Sequence, residues 1–446
     1  MDDFLAATSA GDDGEVVVQR SQLQGLAPFP TWNGTIAAST AGGGAVADGR
    51  CSLLCENGDV AVLQALSGEL SRSQGYAMTF KQVKNLQVER ILRSPVNNTF
   101  GSFCQCWSSD GSVFATAHDR HISFYNTKHN FCLQLSVQLR FSVASMDIAK
   151  WSGDNGDEDR GVARYMLMVG TVFGAYIYKV ELSISTSNQE DGETSNATIN
   201  DTLEPLPALA SAYEETPICF VKFSQDALTV ALGTVDGRLY VHALTANDIE
   251  SHSISAFGSQ VFSKVLAAPR VTSISFSPCN RKLAVATRKG NMYVLTRSSG
   301  TGDGKWQMHS PCKELSANPK PASSGSSSAG AVVAMQTFVC WWGGDSETSS
   351  SVLVVASRSM NYRLEMVDAD SGKLVHSLQM AARPPNDGDL APMTTTTTTD
   401  DHLLTGMCCV NLPNGLQKLV CHDSDSNVSL ITWPLLEIAG YSSLRV

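Results

Sequence analysis

Along most of this chain, apolar and polar residues alternate in short runs rich in β-branched and aromatic side chains, each bounded by Gly, Asp or Asn. Alternation with a period of two predicts strands with one buried face, because successive side chains leave a strand on opposite sides. Three stretches share one order of parts: Ile218 to Leu244 (ICFVKFSQDALTVALGTVDGRLYVHAL), Val271 to Arg297 (VTSISFSPCNRKLAVATRKGNMYVLTR) and Phe103 to Thr127 (FCQCWSSDGSVFATAHDRHISFYNT). An alternating strand ends in an aromatic followed by Ser, at Phe223-Ser224, Phe276-Ser277 and Trp107-Ser108. A polar turn leads to a strand of small residues, such as Leu228 to Gly233 or Leu283 to Thr287. A tight turn follows at Asp236-Gly237, Lys289-Gly290 or Asp119-Arg120, and a third strand then carries Tyr240, Tyr293 or Phe124 at one shared offset. This is strand, turn, strand, turn, strand at hairpin spacing.

Weaker copies occupy the rest. Arg50 to Gln64 holds two strands around Asn57-Gly58, and Tyr165 to Val180 holds two around Phe173-Gly174 after a first strand at Val143 to Trp151. Val333 to Trp342, Val352 to Ser357, Tyr362 to Val367 and Lys373 to Met380 make a four-strand set, and Leu404 to Asn411, Leu419 to His422 and Val428 to Trp433 make three more strands, bringing the repeat count to seven.

The layout resembles the WD-repeat family of β-propellers, on the strength of Phe223 to Asp226 (Phe-Ser-Gln-Asp), Phe276 to Cys279 (Phe-Ser-Pro-Cys) and the Asp-Gly or Lys-Gly turns, over roughly Trp32 to Leu435. The Gly-His and Trp-Asp marks of that family are absent, and Trp433-Pro434 is the nearest approach to the second. The resemblance implies an all-β fold, a seven-bladed β-propeller of four-stranded sheets around a channel. It also implies closure by an N-terminal strand that completes the last blade. Glu15 to Arg20 (EVVVQR) is the candidate, with Val16 to Val18 expected beside Val428 to Trp433. Removing about the first 25 residues should then expose a strand edge.

The expected organisation is a flexible N-terminus over 1–14 and a single propeller over 15–446, with mobile insertions near 183–207, 317–330 and 381–401. Those insertions are rich in Ser, Thr, Pro and Gly, and such compositions bury too little apolar area to offset the entropy of ordering. Bulk binding to phosphate backbones or anionic membranes is disfavoured by the formal charge of -11. The start, Met1-Asp2-Asp3-Phe4, lacks a secretory pattern, and no apolar run approaches the roughly 20 residues a membrane-spanning helix requires. The expectation is a cytoplasmic or nuclear protein with its twelve cysteines reduced.

Candidate chemistry is sparse. There is no Cys-x-x-Cys, His-Glu-x-x-His, Gly-x-Ser-x-Gly or Walker loop. Cys104 with Cys106, and Cys51 with Cys55, share strand faces and read as packing. His118, His121, His242 and His422 fall on second and third strands with no recurring carboxylate beside them. An apolar residue followed by Arg-Arg-Gly, the mark of phosphoinositide-binding propellers, is missing, with Leu139-Arg140-Phe141 the nearest stretch. The chain is therefore read as having no catalytic residue, no metal and no cofactor.

In WD-type propellers the turns between second and third strands share a face with the links between blades, so turn charges can be read as a ring. Arg120, Arg288 with Lys289, and Arg358 are basic, while Asp236, Asp423 with Asp425, and Glu56 are acidic. Trp341-Trp342 is the conspicuous aromatic pair; the leading reading puts both rings in the core, and Trp342 is a candidate contact if the strand leaves one ring exposed at a loop edge. The functional expectation is a non-catalytic scaffold or adaptor that binds proteins of a multi-subunit assembly. The alternatives are a subunit that positions an RNA- or chromatin-acting enzyme, favoured by a basic surface patch, and a propeller enzyme, favoured by converging axial carboxylates and histidines.

Overall fold

The computed structural model describes residues 17–22, 36–38, 49–55, 59–65, 86–93, 102–151, 162–183, 208–244, 257–267, 269–298, 305–308, 337–342, 352–357, 363–380, 404–412, 417–423 and 427–432. Among them every regular element is a strand, and the strands form seven four-stranded antiparallel sheets. Of the segments expected to be flexible, 1–14, 317–330 and 381–401 lie outside the described residues, and so does 183–207 except for Ser183, which ends a strand.

Blade 1 comprises Ile36–Ala38, Arg50–Leu54, Val60–Ala65 and Leu86–Leu92, and blade 2 comprises Phe103–Trp107, Val113–His118, His121–Asn126 and Cys132–Gln138. Blade 3 runs through Ser145–Lys150, Val162–Thr171, Gly174–Ser183 and Ala210–Ala212. Blade 4 runs through Ile218–Phe223, Thr229–Thr234, Arg238–Ala243 and Ser259–Val265. Blade 5 holds Val271–Phe276, Lys282–Thr287, Met292–Arg297 and Trp306–Met308, and blade 6 holds Thr337–Trp342, Val352–Ser357, Arg363–Asp368 and Leu374–Gln379. Blade 7 contributes Leu404–Asn411, Gln417–Asp423 and Asn427–Thr432, and its fourth strand is Val17–Gln22.

That fourth strand pairs antiparallel with the third, from Val17 opposite Thr432 to Gln22 opposite Asn427. Closure by an N-terminal strand is thus as expected, with the strand lying slightly farther along the chain than Glu15 to Arg20. The first strand of each blade contacts the first strands of both neighbours, and the series returns from blade 7 to blade 1, so the ring is complete.

Alternation supplies the core. In Phe103–Trp107, Cys104 and Cys106 face blade 3 together with Val113, Ile122 and Phe124, while Phe103 and Trp107 face blade 1 with Phe114 and Tyr125. Each blade is apolar on both faces, and a separate buried cluster fills each of the interfaces around the ring. Burial of apolar area at these interfaces is what holds the blades in a circle.

Candidate protein-interaction face

The turns between second and third strands are tied by backbone hydrogen bonds to the links between blades. Asp119 N donates to Ser102 O before blade 2 (2.8 Å), and Val143 N before blade 3 donates to Asp119 O (2.7 Å). In blade 4, Val235 N donates to Pro217 O (3.1 Å), and Arg270 N before blade 5 donates to Val235 O (2.9 Å). Arg288 N in turn donates to Arg270 O at 3.0 Å. Turns and links therefore share one face, held by the main chain, as the sequence reading required.

On this face Arg120 is exposed beside Asp119, with Nε 3.8 Å from the carboxylate. Asp236 is exposed, receives the Thr234 hydroxyl and lies 3.3 Å from Arg238 Nε. Lys289 is exposed and Arg288 half-buried. Arg270, which the sequence reading did not single out, joins them: burial pulls its guanidinium below the usual range, opposed by Cys219 and aided to a lesser degree by the like charge of Arg288. Arg270, Arg288 and Lys289 make a basic arc at blades 4 and 5. Arg358, Asp425 and Glu56 lie outside the described residues.

Two expected contacts need correction. Asp423 is fully buried, because the second strand of blade 7 continues through it. Trp342 is also buried, in the cluster between blades 6 and 7, whereas Trp341 faces the cluster between blades 5 and 6 and donates its indole N–H to Ser275 O at 2.8 Å. The two rings do leave the strand on opposite sides, but each side is a core. Trp342 also ends a first strand, which runs away from the link face.

The sequence reading overlooked an apolar cluster on blade 3. Its turn places Val172 at 56% and Phe173 at 51% exposure where blades 2, 4 and 5 carry charged residues. The Phe141 ring lies 4.9 Å from Phe173 and 5.4 Å from Tyr176, and the Arg140 guanidinium sits 5.1 Å from the Phe141 ring. Burial raises the Tyr176 phenol above its usual range; the nearby Glu214 adds to this and Arg140 opposes it. The signal was present: an aromatic at the tip of a tight hairpin, where polar turn residues are the norm.

The axis is lined by first strands and encloses a cavity of about 230 Å³. Asp147 is the one carboxylate among its described lining residues, and no histidine is among them. The Asp147 carboxylate is already bound, by Lys222 Nζ at 2.8 Å and Phe223 N at 2.7 Å, a pair that ties blade 3 to blade 4. Burial works against the Lys222 ammonium, but Asp147 outweighs it and holds the pKa above the usual value. Burial pushes the axial thiol of Cys104 up to about 12 and those of Cys408 and Cys409 well above the ordinary range. The histidines have local environments. His118 stacks on Phe103 at 4.0 Å, His242 shares a 2.6 Å hydrogen bond with the Tyr213 hydroxyl, and His422 shares one of 2.7 Å with Thr405. Among the described residues no helix is long and apolar enough to cross a membrane.

No protein-family model matches the chain, and no curated protein does. Solved structures match across most of it. The β-propeller domain of Myceliophteria thermophila Cps50 (Swd1) superimposes with a TM-score of 0.52 at 9% identity, covering 92% of this chain and 99% of that one. BBS1N, solved in complex with ARL6DN, gives 0.48 at 13% identity, covering 92% and 97%. At such low identity the first likeness speaks for the fold alone, and it agrees with the strand topology: the chain is a β-propeller of seven four-stranded blades.

Proposed function

We propose that the protein is a non-catalytic scaffold or adaptor that binds one or more proteins of a larger assembly through its link face. The observation that carries this reading is the fixing of charged turn residues by main-chain hydrogen bonds between turns and links. The backbone of such turns is held in place before a partner arrives, which lowers the ordering cost of binding. Arg120, Arg288 and Lys289 supply positive charge and Asp236 negative charge, and a face of both signs sets orientation and association rate more than affinity. Arg358 and Asp425 belong to the same proposed ring, and the role needs no cofactor.

The test is affinity purification of the tagged protein, with the co-purifying chains identified, followed by the charge reversal Arg288→Glu/Arg358→Glu. Partner recovery should fall about tenfold, the effect of losing roughly 1.4 kcal/mol. Unchanged recovery would remove this face from the proposal. The basic arc of Arg270, Arg288 and Lys289 favours a second reading, a subunit that positions an enzyme acting on RNA or chromatin. Co-purification with a single methyltransferase would select that reading, and recovery of a multi-subunit complex the first.

A further inference from the structure

Val172 and Phe173 occupy the tip of the hairpin between the second and third strands of blade 3. A hairpin of this length is ordinarily turned by Gly, Asn or Asp, and an exposed Phe there contributes nothing to the core. Thr171 Oγ1 receives Phe173 N at 3.0 Å and donates to Gly174 O at 3.0 Å, so the tip is tied from below. Glu215 N in the following link donates to Phe173 O at 3.2 Å, and the Tyr176 hydroxyl donates to the same carbonyl at 3.4 Å. The preceding link adds Phe141, whose ring contacts those of both Phe173 and Tyr176. Phe141, Val172, Phe173 and Tyr176 thus form one apolar patch on a rigid base.

Charge frames the patch. Arg140, exposed, lies over Phe141 on the blade 2 side, and Glu214, exposed, lies in the link toward blade 4. Both charges lie near enough to the Tyr176 hydroxyl to act on it, Glu214 from the link after the hairpin and Arg140 from the link before it. Aromatic side chains with an adjacent Arg are the composition of interface hot spots, where a few anchors supply most of the binding energy. The acidic margin, Glu214 with exposed Glu215, is unsuited to an anionic lipid surface.

We infer that this patch docks an extended segment of another protein, one that places a bulky apolar side chain between an acidic and a basic residue. The apolar side chain packs on Phe173 and Phe141, the acidic residue faces Arg140 and the basic residue faces Glu214. This deepens the proposed scaffold role and rests on it, since it assigns one contact on the link face.

The test uses the full chain and fluorescein-labelled synthetic peptides with a central Leu or Phe, flanked by one Glu and one Lys, by two Glu or by two Lys. In anisotropy titrations the mixed-charge peptide should bind wild-type protein best. Phe173→Ser should weaken it at least about tenfold. Arg140→Glu should shift the preference to the two-Lys peptide, and Glu214→Arg should shift it to the two-Glu peptide. Equal binding of all three peptides, or Phe173→Ser binding like wild type, would overturn the inference. So would a wild-type dimer that Phe173→Ser dissociates in sedimentation, or binding to phosphatidylserine vesicles that Phe173→Ser abolishes, since each assigns the patch to a different occupant. In the purification experiment, recovery lost with Arg288→Glu/Arg358→Glu but kept with Phe173→Ser would overturn this contact and leave the broader role standing. Recovery kept by both would overturn both.

Discussion

Ser108, Ser224 and Ser277 are buried hydroxyls, and each accepts the backbone N–H five residues on, from Val113, Thr229 and Lys282, at 2.9 Å in every case. The hydroxyl closes the turn between first and second strands, so the recurring aromatic-Ser pair marks a real device: a ring for the core beside a clamp for the turn. His422 shows a different constraint. It is fully buried, and burial lowers its imidazole to about 4, with Asp423 only partly opposing. Above pH 6.5 it is neutral in both folded and unfolded chains and has no effect on the balance. As pH falls from 6.5 toward 4, the unfolded chain takes up a proton that the folded one refuses, and stability falls; below 4 the loss levels off. At about 1.36 kcal/mol per pH unit the loss is roughly 3 kcal/mol. Denaturant titrations at pH 7 and pH 4 should show a smaller drop for His422→Asn than for wild type, by about 2–3 kcal/mol. Equal drops would mean that His422 is charged or solvated in the folded state.

At the scale of elements, close approach of blades depends on particular positions. Gly170 and Gly233 stand one residue before the end of the second strands of blades 3 and 4. A Cβ on Gly233 would lie 2.6 Å from Val271 Cβ, and one on Gly170 would lie 2.8 Å from Ile218 Cγ2, both in the first strand of the next blade. The missing side chain lets neighbouring strands nest. Gly233→Ala should destabilise by about 1–3 kcal/mol, as overpacking does in a filled core. Trimming the opposing side chain in Gly233→Ala/Val271→Ala should return part of it, a coupling that thermal unfolding of the single and double variants measures. Strict additivity would place the strain elsewhere. The same geometry explains what the sequence concealed. First, second and third strands carry two apolar faces and were legible except for Ile36–Ala38, the three-residue first strand of blade 1; outer strands such as Ser259–Val265 and Cys132–Gln138 are mostly exposed or half-buried and lack that alternation. The link face followed from the resemblance to WD-type propellers, and Arg120, Asp236 and Lys289 lie at its turns. Asp423 and Trp342 misled because charge and aromaticity say nothing about where a strand ends. The blade 3 patch needed coordinates, since Phe141 and Phe173 meet only once two blades are side by side.

For the whole molecule the decisive feature is how the ring is joined. Blade 7 meets blade 1 through a buried cluster that includes Cys51, Leu53 and Leu63 on one side and Val410, Val420 and Leu430 on the other. Gly49 N also donates to Asn411 O at 3.0 Å, and Gly49 has a positive φ at a point where a Cβ would lie 2.7 Å from Ala65 O and 3.0 Å from Leu412 Cδ2. These contacts join first, second and third strands, and none of the residues named belongs to the N-terminal strand. What Val17–Gln22 adds is the cover on the outer edge of Asn427–Thr432, a row of main-chain donors and acceptors otherwise open to water or to another chain. A variant lacking residues 1–22 should therefore keep six blades intact and lose protection locally. Hydrogen exchange should quicken across Asn427–Thr432, the melting temperature should fall, and the open edge should drive association as concentration rises. A synthetic peptide of residues 17–22 should reverse all three by restoring the strand, as β-augmentation does elsewhere. Unchanged exchange in Asn427–Thr432 would show that the propeller's closure does not depend on this strand, and unfolding of every blade at once would show that it carries the whole ring.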